Sequence, residues 1–115
     1  MKFEKLDVWR RSAKLASDVY LHLRDLNDLG FKSQITRSVL SVSSNIAEGW
    51  ERDAVKDRVR FLVIAKSSLA EFISQTYIGR KIAYIDDAIG SEWKREAEEL
   101  AAMLAALISS VSKDK

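Results

Sequence analysis

The 115-residue sequence contains no cysteine and no proline, a single histidine and only four glycines. Without cysteine, neither a disulfide framework nor a thiolate metal site can form. Without proline, and with glycine confined to positions 30, 49, 79 and 90, few residues interrupt a regular backbone. His22 has no cysteine or Glu-x-x-His motif to work with, so the partners that catalytic and metal roles require are missing. There is no glycine-rich phosphate loop and no Gly-Lys-Ser/Thr motif. No apolar run approaches the ~20 residues needed to span a bilayer. The opening segment MKFEKLDVW mixes both charge signs and lacks the apolar core of a secretory signal. These absences lead us to expect a cytoplasmic protein with no membrane partner, no cofactor, no metal and no catalytic residue.

What is present fits one folded domain over residues 1–115, with the SKDK tail, 112–115, expected to fray. The hydrophobic fraction is 47% and the charged fraction 31%. Net charge is +2, too little to imply nucleic acid by itself. It is unevenly spread: residues 1–60 hold twelve Lys/Arg against nine Asp/Glu, and residues 61–115 hold seven against eight.

Abundant Ala, Leu, Lys, Arg and Glu predict helix throughout. The first helix is expected over about Lys5–Asp28, with a heptad seam Leu6, Trp9, Ala13, Ala16, Tyr20, Leu23. A second row, Val8, Leu15, Val19 and Leu26, widens that stripe. Ser33 is the expected N-cap of a second helix reaching about Trp50, and Asp53 that of a third from about Ala54 to Tyr84. A fourth begins after Asp86-Asp87 or after Gly90-Ser91, with a seam at Trp93, Ala97, Leu100, Leu104, Leu107 and Val111. Four amphipathic helices on short connections pack as sequential antiparallel neighbours. The expected architecture is all-α, an antiparallel up-down four-helix bundle.

The second helix carries an unusual pattern. Ile35, Val39, Val42 and Ile46 form an apolar row, and Gln34, Ser38, Ser41, Asn45 and Glu48 form a polar row at nearly the same spacing. A solvated face normally carries Lys, Glu and Arg, so small polar residues in register suggest close approach by another helix. Paired acid–base work by Glu48 and Glu71 is one reading. The other makes them partly buried anchors for Arg37 or Arg60, with Asn45 satisfying backbone groups near the helix end; Arg37, Asn45, Glu48, Arg60 and Glu71 would then form a structural polar network.

The motifs Leu6-Asp7-Val8-Trp9, Gln34-Ile35, Arg37-Ser38, Ser41-Val42, Ser44-Asn45-Ile46-Ala47-Glu48-Gly49 with Arg52, and Arg60-Phe61-Leu62 with Ile64-Ala65, Ser68-Leu69 and Glu71 cover most of the chain. They resemble the bacterial four-helix-bundle family of 23S rRNA intervening-sequence proteins. Two departures stand out: the link after the first helix is short and proline-free, and Lys66-Ser67-Ser68 stands where Arg-Gly-Ser is typical. The resemblance implies a bundle that assembles with itself as a ring, often a pentamer. It also implies kinship of fold with accessory variability proteins of diversity-generating retroelements, which bind nucleic acid through basic surfaces. It supplies no settled biochemical activity.

Two basic groups are therefore candidates for RNA or DNA: Arg10, Arg11 and Lys14 on the first helix, and Arg52, Lys56, Arg58 and Arg60 around the turn between the second and third. On a lone subunit such residues form an ordinary solvated face; repeated around a symmetry axis they make a concentrated positive field. Val8, Leu15, Val19 and Trp50 are the expected subunit-interface residues, Trp50 stacking on a base being the competing role. The alternative function is a scaffold that recruits another protein and has no nucleic-acid role.

Overall fold

Helix-forming residues run almost unbroken between three short turns, and the chain follows them. The computed structural model describes residues 2–113. A 3-10 turn at Lys2–Lys5 precedes four helices: α1 (Asp7–Leu23), α2 (Leu29–Trp50), α3 (Val55–Lys81) and α4 (Asp87–Ser112). Each helix packs on its neighbours in sequence and α4 returns to α1, giving an all-α up-down bundle measuring 47 × 21 × 20 Å. The most extensive packing is between α2 and α3. Of the tail expected to fray, Ser112 ends α4, and residues 114–115 lie outside the described residues.

Several boundaries differ from those expected. The N-cap of α2 is Asp28, whose carboxylate accepts the Phe31 N–H at 3.0 Å, so Gly30 lies within the helix and Ser33 is exposed in its second turn. Tyr84 Oη, reaching over from the α3–α4 turn, also donates to Asp28 at 2.9 Å. These two donors hold the Asp28 carboxyl below the usual carboxylate range. The N-cap of α3 is Ala54, without a side-chain cap, rather than Asp53. Its C-terminus comes at Lys81, followed by Ala83 in the left-handed region at φ 63°. That conformation lets the Tyr84 and Ile85 N–H groups both donate to the Gly79 carbonyl, satisfying an orphan acceptor of the last turn. Asp86 precedes the first turn of α4, and Gly90 lies inside that helix.

The core unites the expected faces of α2, α3 and α4, with Ile35, Ile46, Leu62, Leu69, Phe72, Leu100 and Leu104 fully buried. On α1 the inward direction is rotated from the expected seam. Val8, Leu15 and Val19, expected at a subunit interface, are 5, 4 and 0% exposed and belong to the subunit's own core. Tyr20, expected in the seam, is 43% exposed. The inward stripe runs through Val8, Ser12, Leu15, Ala16, Val19 and Leu23, so a buried serine occupies one of its positions.

A charged clasp closes the α1–α4 side. Arg11 donates Nε and Nη2 to the two carboxylate oxygens of Glu96 at 2.9 and 2.6 Å, and Nη2 also reaches Glu99 at 2.9 Å. Bidentate pairing holds the Glu96 carboxyl below its ordinary value, against a smaller opposing effect of burial. Glu96 therefore adds stability that is fully present above about 4.5, its ordinary value, and is lost as pH falls through the depressed folded-state value. Thermal unfolding of Glu96→Gln beside the parent chain checks this. The parent should be the more stable at pH 7, with the gap closing towards pH 3; a gap independent of pH would contradict it.

Candidate nucleic-acid interface

The polar row of α2 meets α3 only at its middle. Ser38, 3% exposed, donates to the Gln75 side-chain oxygen, and the Ser41 and Ser68 hydroxyls pair at 2.9 Å. Asn45 turns back along its own helix, donating to the Ser41 carbonyl at 2.8 Å and to its hydroxyl at 2.9 Å. These short side chains let the two helices approach closely while every polar group named keeps a partner. At the ends of the row, Gln34 and Glu48 face solvent.

The buried anchors expected at Glu48 and Glu71 are not formed. Glu48 pairs with Arg52 one turn on, at 3.3 Å, with both side chains about half exposed. Arg37, Arg60 and Glu71 are exposed, and among the described residues no ion pair joins them. Long charged side chains at these positions reach water without cost, so nothing forces them inward. A group of three His, Asp or Glu side chains able to hold a metal is absent among the described residues.

Close approach culminates at the α2–α3 turn. A Cβ on Gly49 would fall 2.7 Å from Phe61 Cβ and 3.2 Å from the Arg58 carbonyl oxygen, so only glycine lets these helix ends touch. Arg58 then reaches back over the turn. Its guanidinium lies 4.5 Å from the Trp50 ring centroid and donates to the carbonyls of Trp50 (3.2 Å) and Arg52 (2.9 Å). A cation thereby caps the negative C-terminal end of α2, whose own last turn has no basic residue. Trp50 is half-buried against the core under this guanidinium rather than standing free. Beside it the Phe61 ring carries two more cations, Arg52 at 4.9 Å and Arg60 at 4.8 Å. Lys56 is exposed and without an ion pair among the described residues.

The two basic groups read from the sequence thus fare differently. Arg11 is committed to Glu96 and Glu99, Lys14 pairs with Asp18 at 2.9 Å, and Arg10 donates to the Glu4 carbonyl at 2.9 Å with Asp7 3.7 Å away. Little of that group's charge is available to a ligand. At the other group Arg58 is structural, whereas Arg52 and Arg60 reach solvent over the Phe61 ring and Lys56 is exposed one turn before Arg60. The Arg–aromatic pairs were not foreseen; an arginine eight residues after a helix-terminal tryptophan was the available signal.

An antiparallel four-helix bundle with one closely packed helix pair and a cation–aromatic end is the class of protein these features define. Residues 4–106 match the profile of the 23S rRNA-intervening sequence protein family, and the chain belongs to that family. The fold is shared with a crystal structure from Bacteroides thetaiotaomicron, described as a protein of unknown function from the S23 ribosomal protein family. That likeness has a TM-score of 0.82 at 22% identity and covers 88% of this chain and 97% of the other. No curated protein matches the chain. Among the described residues no helix is long and apolar enough to cross a membrane.

Proposed function

We propose that the protein is a non-enzymatic, self-assembling four-helix bundle that holds RNA or DNA by its phosphates at the α2–α3 end. The observation that carries this reading is the exposed Lys56 and, one turn on in α3, the exposed Arg60, neither in an ion pair among the described residues, with Arg60 and Arg52 both over the Phe61 ring. Glu51, Asp53 and Asp57 share that end, so attraction rests on close contact by long basic side chains rather than on a broad field. Such contacts ignore sequence and weaken steeply with salt. The kinship of fold with retroelement accessory proteins, implied by the sequence motifs, points the same way. Fluorescence anisotropy with a labelled structured RNA and a duplex DNA tests it: binding is expected at low salt and lost on raising it. No affinity for either at low salt would contradict it.

Self-assembly is supported by exposed apolar side chains on three of the helices. Val63, Ile64 and Ile78 on α3 are 45, 39 and 48% exposed, and Tyr20, Leu21 and Leu40 flank a groove between α1 and α2 floored by Ala13 and Ala16. Seating exposed α3 side chains of one copy in the α1–α2 groove of the next would be a head-to-tail contact, which closes into a ring where the rotation allows; five copies is the number the family resemblance favours. Light scattering should give a mass several times 13.0 kDa. The same groove favours the alternative reading, a scaffold whose assembly seats a different protein, and an oligomeric mass with no nucleic-acid binding would select it.

A further inference from the structure

At the opposite end of α3 a second cationic feature serves neither the bundle nor the proposed nucleic-acid surface. A cavity of about 540 Å³ opens between the C-terminal half of α3 and the start of α4, within the size range of small-molecule sites. Arg80, Lys81 and Lys94 line it against one carboxylate, Asp87, leaving a surplus of two positive charges. Ile73 and Tyr77 supply an apolar and an aromatic wall, and Tyr77 is 61% exposed. Thr76 completes the lining; it is 1% exposed, and its hydroxyl has no hydrogen-bond partner among the described residues.

The side chain of Arg80 is held against α4. A Cβ on Gly90 would come within 2.4 Å of Arg80 Cδ, so the arginine stem lies against α4 in space that only glycine leaves open. Its present partner competes weakly: Asp87 accepts from Nε at 3.3 Å, and the Asp87 side chain is 87% exposed. A phosphate presents two oxygens to the guanidinium fork, and a phosphomonoester carries close to two negative charges at neutral pH, equal to the surplus here. The exposed tyrosine ring, which now takes the Lys81 ammonium 5.6 Å from its centroid, adds a surface on which a planar group can stack once that cation turns to the phosphate.

We infer that this α3–α4 cavity binds a nucleoside monophosphate, its phosphate on Arg80, Lys81 and Lys94 and its base against Tyr77. Arg60 and Arg80 are separated by twenty residues of one helix, about 30 Å, so the site is independent of the α2–α3 end. The ligand is a free mononucleotide or the 5′-phosphorylated terminus of a strand.

Calorimetric titration of the full chain with adenosine 5′-monophosphate, adenosine and inorganic phosphate tests the site. The monophosphate should bind at least about tenfold more tightly than either fragment. Lys94→Glu, an exposed substitution, should weaken it by at least about tenfold, whereas Lys56→Glu at the other end should leave it unchanged. Competition by a 5′-phosphorylated oligonucleotide but not by its unphosphorylated form would assign the strand terminus; competition by neither would assign the free nucleotide. Equal affinity for adenosine and its monophosphate, or no effect of Lys94→Glu, would overturn the inference. Loss of RNA binding in Lys56→Glu with monophosphate binding intact would leave this site standing on its own.

Discussion

Replacing Gly49 by alanine is expected to destabilise the protein by about 1–2 kcal/mol, and by valine by about 3 kcal/mol. An alanine in place of a helical glycine ordinarily gains about 0.5–1 kcal/mol, because glycine loses the most backbone freedom on folding. Here that gain is overridden. The added methyl lands 2.7 Å from Phe61 Cβ and 3.2 Å from a backbone oxygen of α3, neither of which can swing aside as a flexible side-chain tip could. The helix ends must separate, which also draws Trp50 from under Arg58. Valine adds two further methyls to the same overfilled space. Gly30→Ala is the matched control: its Cβ meets nothing nearer than Asp28 Oδ1 at 3.6 Å, so no loss is expected. Denaturant midpoints at constant m-value read both; a Gly49→Ala protein as stable as its parent would show that the helices are not in contact at this point.

Reversing Lys56 and Arg60 together to glutamate is expected to weaken RNA binding by about a hundredfold at 0.1 M salt, roughly tenfold for each phosphate contact. Both side chains are exposed and make no ion pair among the described residues, so the unfolding midpoint should change little. Arg58 is unsuitable for this test, because its guanidinium satisfies two carbonyls of the turn and its loss would disturb the fold. Arg11→Ala supplies the opposite control, lowering stability by opening the clasp to Glu96 while sparing affinity. Unchanged binding in the double variant would move the nucleic-acid surface elsewhere or remove it.

Helices α2 and α4 were legible from the sequence because their apolar residues repeat cleanly and face one core. Helix α1 was harder. Ser12 hides a core position behind a polar side chain and Tyr20 dresses a surface position as apolar, so the best heptad in the sequence is not the stripe that faces inward. The start of α2 was misplaced because Gly30 looks like a breaker, whereas Asp28 caps from two residues earlier. Ala83 in a left-handed conformation carries no local signal at all. At the candidate site the basic residues could be picked out by type, but their availability could not. Arg11 is consumed by Glu96 eighty-five positions away, a pairing that only the return of α4 to α1 creates. Glu48 and Glu71 looked like buried anchors because acids beside a small-residue stripe imply burial; their helix positions turn them to water instead.

The salt dependence of RNA affinity, measured for the parent chain and for Lys56→Glu/Arg60→Glu, tests the role of the α2–α3 end most directly. Log affinity should fall linearly with log salt for the parent, with a slope of about −0.9 for each phosphate neutralised. The double variant should give a slope shallower by at least about two such contacts, with the two lines converging at high salt. Parallel lines of equal slope would contradict phosphate binding at this end of the bundle.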